Sequence, residues 1–189
     1  MSAGITGAAP ASAGGAAFGA RALPPVLERL RRHAAGSGEG RPARWAASLV
    51  RRLCLAGRAD PVDVEPFPGQ RARLYPRDNL SEKRVFASAA RWDGAERAAL
   101  ADRLSRTPPP FHFVDAGANA GLYTLALRAV GPIRGLAIEP APEMLARLRF
   151  NLRASGAGEV TVAPVALAAE TGAAALAPAG ANRGEVSVT

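Results

Sequence analysis

The chain has 189 residues, of which 48% are hydrophobic, and it carries a formal net charge of +8 at pH 7 with a pI near 11.2. This length predicts one domain with a tail. A basic chain is typical of nucleic-acid binding, but Lys83 is the only lysine among 24 basic residues, and the arginines are spread along the sequence. We therefore attribute the charge to an arginine-rich composition and expect no nucleic-acid partner.

Cysteine and histidine are too scarce for a disulfide or a metal site. Cys54 is the only cysteine, and the two histidines are His33 and His112. A single cysteine excludes an intrachain disulfide, and this set of residues argues against a metal centre. No apolar run in the sequence approaches the roughly 20 residues that span a bilayer. No basic residue precedes Arg21, as one would in a signal peptide. We expect a cytoplasmic protein without a membrane span.

The N-terminal part of the chain divides into a tail and a helical extension. Residues 1–20 are mostly alanine, glycine and serine, which cannot bury enough surface to offset their ordering, so we expect a disordered tail. Residues 21–60 are predicted to form a helical N-terminal extension. Its first helix opens at Pro24-Pro25, and its second runs from Pro42 to Leu55.

Both helices of this extension are predicted to be amphipathic, with an apolar face turned inward and arginines in solvent. In the first helix the apolar residues are Val26, Leu27 and Leu30, and the basic residues are Arg29, Arg31 and Arg32. In the second helix the apolar residues are Trp45, Ala46, Leu49 and Leu53, and the basic residues are Arg44, Arg51 and Arg52. A short basic amphipathic segment is also compatible with a membrane-surface role, which we regard as the minor alternative.

Residues 61–110 are predicted to hold a hairpin and two helices ahead of the main domain. The predicted strands are 62–67 and 71–75, and the predicted helices are 78–86 and 93–104. Pro68-Gly69 is a turn pair between the strands. Asn79 or Ser81 is expected to cap the first of the two helices.

The most informative stretch runs from Phe111 to Val130 and is typical of a strand, a glycine turn and a helix. The apolar run from Phe111 ends at Asp115, Gly117 and Gly121 bracket the turn, and helical spacing of apolar residues follows. A turn of this kind brings a ligand against bare backbone. We expect its N–H groups to be free to bind that ligand.

The spacing of this turn differs from that of a dinucleotide-binding loop. Such loops carry G-x-G-x-x-G, whereas this sequence has Asp115-x-Gly117-x-Asn119-x-Gly121. A carboxylate at the end of the strand suits the ammonium group of S-adenosylmethionine better than a pyrophosphate. The next predicted strand ends in Glu139, which can accept hydrogen bonds from both ribose hydroxyls. That feature alone fits a nicotinamide cofactor equally well.

The remainder of the sequence continues the alternation of strands and helices. A helix is predicted to run to Ala154, a third strand to cover 160–165 and a fourth to cover 173–176. This alternation predicts an α/β fold with a doubly wound parallel sheet. Ligands bind such sheets at the carboxyl ends of the strands, which is where Asp115 and Glu139 both fall.

Residues 114–124, Val-Asp-Ala-Gly-Ala-Asn-Ala-Gly-Leu-Tyr-Thr, resemble the D-x-G-A-N-x-G-x-Y-T signature of FkbM-type methyltransferases. Residues 137–142, Ala-Ile-Glu-Pro-Ala-Pro, followed by Leu-Arg-Phe-Asn-Leu at 148–152, resemble the E-P-x-P…L-x-x-N segment of the same family. The resemblance covers residues 62–189 and is most specific over 113–152. Two linked motifs at this separation make a stronger signal than either alone.

The resemblance implies a Rossmann-like class I methyltransferase fold, S-adenosylmethionine as the cofactor, and O-methyl transfer to a hydroxyl of a small molecule, sugar or lipid. The cofactor-binding residues that it implies are Asp115, Gly117, Asn119, Gly121, Glu139 and Ala166. It identifies no catalytic residue here. Trp92 and Glu96 are minor candidates for shaping the substrate pocket, and the main alternative is a packing tryptophan and a solvated carboxylate.

Members of this family have a seven-stranded sheet, whereas the sequence predicts about four strands. We therefore expect 111–189 to be the cofactor-binding half of an incomplete, C-terminally truncated methyltransferase domain. One alternative is a non-catalytic remnant of such an enzyme. Another is a NAD-dependent oxidoreductase, which Asn119 disfavours because it stands where a dinucleotide loop has glycine.

Overall fold

The computed structural model describes residues 15–36, 40–170, 172, 176–178 and 186–188. Its helices are α1 (Pro25–Gly36), α2 (Arg41–Leu55), α3 (Leu80–Ser88), α4 (Gly94–Ser105), α5 (Leu122–Arg128) and α6 (Pro142–Ala154). Its strands are β1 (Val62–Phe67), β2 (Gln70–Leu74), β3 (Phe111–Ala116), β4 (Ile133–Ile138), β5 (Val160–Ala163), β6 (Leu176–Pro178) and β7 (Val186–Val188). In these ranges no helix combines the length and the apolar character needed to cross a membrane.

A three-stranded parallel sheet forms the centre of the fold, in the order β3-β4-β5. The register pairs Asp115 with Ala137 and Ile138 with Ala163, so the carboxyl ends of all three strands meet at one edge. Helix α5 connects β3 to β4, and α6 connects β4 to β5. The α/β class is thereby confirmed, in an arrangement compatible with a Rossmann-like fold.

The predicted fourth strand does not join this sheet. Residues 173–175 of that prediction lie outside the described residues, and β6 pairs antiparallel with β7 in a separate two-stranded sheet. Pro178, the last residue of β6, has no N–H to donate, so this segment is unsuited to a ladder between two other strands. Within the described ranges the parallel sheet has three strands, and β3 lies at its edge.

The two faces of β3 differ in burial. Phe111 and Phe113 pack against a small apolar cluster that includes Leu104 of α4 and Leu127 of α5. The alternate residues of the strand, among them His112 and Val114, are exposed. Helices therefore cover one face of this strand, and the other face is open among the described residues.

The β1–β2 hairpin packs on α6 and joins the N-terminal extension to the central sheet. Asn151 of α6 accepts a hydrogen bond from the Arg73 N–H at 2.7 Å, and Ser155 accepts one from the Arg71 N–H at 2.9 Å. Buried residues of the hairpin and of α3, α5 and α6 share one hydrophobic core. The extension is therefore part of the same packed unit as the glycine turn.

Part of the predicted tail is held in place by a buried ion pair. The Asp63 carboxylate binds the Arg73 guanidinium at 2.7 Å, and its Oδ2 also accepts hydrogen bonds from the Gly19 and Arg21 N–H groups. Residues 15–20 are thus tied to the hairpin, whereas 1–14 lie outside the described residues. The tail's own composition could not reveal this, because the binding groups belong to β1 and β2.

The predicted inner face of α2 is wrong, and that of α1 holds only in part, because Leu27 packs against the core whereas Val26 is exposed. Trp45, Leu49 and Leu53 are 70%, 42% and 50% exposed, whereas Arg31 is only 2% exposed. Helix α2 packs instead through small or polarisable residues such as Ala47 and Cys54, which permit close approach to neighbouring elements. Arg31 is buried because its guanidinium binds both carboxylate oxygens of a neighbouring glutamate on α1.

Candidate cofactor site

The turn between β3 and α5 contains three residues with left-handed backbone conformations. The φ angles of Gly117, Asn119 and Gly121 are 74°, 50° and 81°. A Cβ on Gly121 would lie 2.7 Å from Cδ1 of Leu148, so this glycine permits α6 to approach the turn closely. A Cβ on Gly117 would meet nothing within 4 Å, so the backbone there faces open space. The two glycines therefore serve different purposes.

The N–H groups of this turn are not free, and this part of the sequence prediction is wrong. Gly117 and Ala118 both donate to the carbonyl of Ile138 at 2.9 Å. The N–H groups of residues 119, 120 and 121 donate to the Glu139 carboxylate, the Asn119 side chain and the Ala118 carbonyl, respectively. The cause is tertiary, since the end of β4 and its glutamate supply acceptors that the turn sequence does not contain.

Glu139 lies at the carboxyl end of β4, as predicted, and is 5% exposed. Its Oε2 accepts a hydrogen bond from the Asn119 N–H at 2.8 Å, and its Oε1 accepts one from the Ala141 N–H at 2.8 Å. A carboxylate oxygen has two acceptor positions. Each oxygen therefore retains one position while the carboxylate fastens the turn to the start of α6.

Asp115 lies at the end of β3 and is 8% exposed. Its Oδ2 accepts hydrogen bonds from the Thr124 hydroxyl at 2.6 Å and from the Thr124 N–H at 3.2 Å. Burial raises the pKa of Asp115 above its ordinary value, although these two hydrogen bonds oppose the shift. The carboxylate thus bridges the strand to the first turn of α5.

Two asparagines support the turn, and the sequence indicated their roles only in part. Asn79 caps α3, as predicted, by accepting from the Glu82 N–H, and its Nδ2 also donates to the Asn119 side chain at 3.0 Å. Asn151 is fully buried, and its Nδ2 donates to the carbonyl of Ala120 at 2.9 Å. Both contacts join segments far apart in sequence, so only the tertiary structure brings them to the turn.

The structure separates the remaining candidates. Trp92 is 5% exposed and packs against Tyr123 with ring centroids 4.7 Å apart and ring planes inclined at 55°, which agrees with a packing role. Glu96 is exposed on α4. Ala166 lies exposed beyond the end of β5.

Comparisons with known proteins identify no family for this chain. No protein-family model matches the chain, and no curated protein matches it either. The described residues also contain no group of three histidine, cysteine or acidic side chains placed to hold a metal ion. The case for a function therefore depends on the geometry of the turn and on its sequence resemblance.

Proposed function

We propose that the chain is the cofactor-binding part of an S-adenosylmethionine-dependent methyltransferase of FkbM type, which methylates a hydroxyl of a small molecule, sugar or lipid. The observation that carries the proposal is the closed hydrogen bonding of the turn. A pyrophosphate needs free N–H donors, whereas the N–H groups of residues 117–121 already donate within the chain. This favours a ligand without a phosphate over a dinucleotide.

The open backbone at Gly117 supports the same proposal. The space beside its α-carbon holds no protein atom within 4 Å of the position a Cβ would take. A ligand can therefore approach the backbone at the carboxyl edge of the sheet, where ligands of α/β folds bind. The residues present fit S-adenosylmethionine at this edge, because carboxylates end both neighbouring strands.

Three of the predicted binding residues then have distinct roles. Asp115 attracts the ammonium group of the cofactor, and Glu139 uses its remaining acceptor positions for the ribose hydroxyls. Ala166 has no polar side-chain atom, so only backbone groups there can bind the adenine. Bound S-adenosylmethionine supplies an electrophilic methyl group, and the chain contributes by fixing its position relative to the acceptor.

The test is calorimetric titration of the purified chain with S-adenosylhomocysteine and, separately, with NADH. We expect saturable binding of the first compound only. Binding of NADH alone would replace the proposal with the oxidoreductase alternative. Binding of neither compound by a chain that circular dichroism shows to be folded would leave the non-catalytic remnant.

Substitution of Gly117 tests whether S-adenosylhomocysteine binds at the turn. Gly117→Ala adds a methyl group to the open space, and we expect a loss of S-adenosylhomocysteine affinity of about tenfold or more, since overpacking costs about 1–3 kcal/mol. Gly69→Ala is the matched control, because Gly69 has a φ of 69° and also has nothing within 4 Å of an added Cβ. Equal affinity in the two variants would place the ligand elsewhere.

Substitution of the carboxylates tests their individual parts. We expect Glu139→Gln and Asp115→Asn each to weaken S-adenosylhomocysteine binding, because each removes a negative charge at a strand end while keeping the side-chain shape. Asp102→Asn is the control, since Asp102 of α4 forms a surface ion pair with Arg106, the residue that follows the helix. A loss of affinity in the control as large as in the other two variants would indicate a general charge effect.

A further inference from the structure

A cavity of about 560 Å³ lies between α2 and α3. Its size falls within the range of roughly 300–1,000 Å³ that is typical of small-molecule sites. Small side chains create the space, since Ala47 and Ser48 of α2 line it together with Ala87 and Ser88 of α3. Neither helix therefore fills the gap between them, and longer side chains surround it.

The long side chains around this cavity are basic. Arg44 and Arg51 come from α2, Lys83 and Arg84 come from α3, and Arg91 follows α3. Four of them, all except Arg91, form no side-chain hydrogen bond or ion pair with any residue that the structure describes. Arg44, Lys83 and Arg84 are exposed and Arg51 is half-buried, whereas the buried arginines of the described chain are bound to carboxylates.

Few acidic groups balance the basic side chains of the cavity. Among the lining residues that the structure describes, Asp93 alone is acidic, and its Oδ2 already accepts a hydrogen bond from the Tyr123 hydroxyl at 2.8 Å. Cations gathered in a concave site without anions raise the local potential and favour an anionic ligand. Guanidinium groups in particular form paired hydrogen bonds with phosphate oxygens.

A second observation is independent of charge. The Ser88 hydroxyl oxygen is buried and has no hydrogen-bond partner among the residues that the structure describes, and Ser88 lines the cavity. Native structures rarely leave a buried polar atom without a partner. Rotation of the Ser88 side chain about χ1 would turn its hydroxyl towards a polar ligand in the cavity.

The cavity adjoins the glycine turn at two places. Leu80 lines it and directly follows Asn79, whose side chain binds that of Asn119. Trp92 also lines it and packs in a tilted arrangement against Tyr123 in the first turn of α5. Asn79 and Tyr123 therefore connect the lining of the cavity to the turn.

We infer that this cavity between α2 and α3 binds a small molecule that carries a phosphate group. The inference does not depend on the proposed function, and the binding of a phosphorylated compound can be measured by itself. Arg51 and Arg84 hold the phosphate from opposite helices, and the Ser88 hydroxyl donates to it.

The experiment follows the fluorescence of Trp92, which is 5% exposed and lines the cavity. Trp45→Phe removes the other tryptophan, which is 70% exposed and is not among the lining residues. In this background the chain is titrated with glucose 6-phosphate and with glucose. We expect a saturable change with the phosphorylated sugar only, and a weaker affinity as salt is added. Equal responses to the two sugars, or no response, would overturn the inference.

Charge variants distinguish binding in the cavity from a general attraction of the anion to a basic chain. We expect Arg51→Gln and Arg84→Gln each to weaken glucose 6-phosphate binding by about tenfold or more, because each removes a charge-assisted hydrogen bond to the phosphate. Arg103→Gln removes the same charge from the exposed surface of α4 and is the matched control. Equal losses in all three variants would refute a defined site.

Ser88→Ala distinguishes a ligand-binding hydroxyl from a structural one. The variant removes an orphaned polar atom, so we expect unchanged or higher stability in urea together with weaker binding of glucose 6-phosphate. A loss of stability without a change in binding would contradict the inference.

Parallel titrations with S-adenosylhomocysteine separate the two proposals. The cavity variants are expected to keep its affinity unchanged. If glucose 6-phosphate binds as described and S-adenosylhomocysteine does not bind, the phosphate site stands and the proposed function fails. If only S-adenosylhomocysteine binds, the cofactor site stands and the present inference fails.

Discussion

Replacement of Gly121 by alanine should destabilise the fold through two separable effects. The residue has a φ of 81°, and an added Cβ would lie 2.7 Å from Cδ1 of Leu148, which is fully buried. A left-handed conformation costs a non-glycine residue about 1–2 kcal/mol, and overpacking a core costs about 1–3 kcal/mol. We therefore expect Gly121→Ala to lower the free energy of unfolding by about 2–5 kcal/mol.

Gly117→Ala isolates the backbone effect. The φ of Gly117 is 74°, yet no atom lies within 4 Å of an added Cβ. Only the conformational cost of about 1–2 kcal/mol remains for this variant. Equilibrium unfolding in urea, followed by far-ultraviolet circular dichroism, measures both variants against the unsubstituted chain.

A double-mutant cycle with Leu148→Ala identifies the steric contact. Leu148→Ala alone should cost about 2–5 kcal/mol, because it removes a fully buried side chain. In the double variant the added methyl group of Gly121→Ala enters the space that the Leu148 side chain has left. The double variant should therefore lose about 1–3 kcal/mol less stability than the two single losses added together. Strict additivity, or equal losses in the two glycine variants, would refute the steric argument.

Three further predictions concern the charged and polar groups of the core. Burial raises the pKa of Glu82 to about 7 despite its ion pair with Arg147. The stability gained from protonated Glu82 is therefore fully present below about pH 4.5 and is lost as pH rises through 7. The midpoint of urea unfolding should fall between pH 5 and 8 in the native chain and change less in Glu82→Gln. Although burial opposes ionisation, bonding to Arg73 lowers the pKa of Asp63. The stability contributed by the ionised Asp63 carboxylate is therefore present above about pH 3.8 and is lost as pH falls further. Asp63→Asn should cost about 3–5 kcal/mol at pH 7 by leaving a buried guanidinium without its partner, and a loss below 1 kcal/mol in urea unfolding would contradict this. Asn79→Ala should cost about 1 kcal/mol as a lost cap and should also weaken S-adenosylhomocysteine binding in calorimetry, whereas Ser81→Ala should leave that binding unchanged.

The sequence determined the order of the elements up to β5 and the position of the turn. Local rules suffice for these features, because apolar spacing, prolines and glycines act within a few residues of the chain. The strand and helix on either side of Gly117 and Gly121 were therefore predicted, as was the glutamate that ends the next strand. The hairpin before them followed from the same kind of evidence.

Other features depended on contacts between distant segments. The acceptors for the N–H groups of the turn come from the end of β4, and the amide that binds the Ala120 carbonyl comes from α6. The burial of Arg31 and the exposure of Trp45 depend on which neighbours each helix meets, and amphipathic spacing alone identifies two faces without saying which one is covered.

The candidate site shows the same division. The sequence by itself determined the residue types at the strand ends, since the acidic residues and glycines are read directly from their spacing. Only the tertiary structure decided that the N–H groups of the turn are occupied, that Gly117 faces open space and that five basic side chains line one cavity between α2 and α3. The physical reason is that hydrogen-bond partners and empty volume are properties of packed segments, which no local pattern specifies.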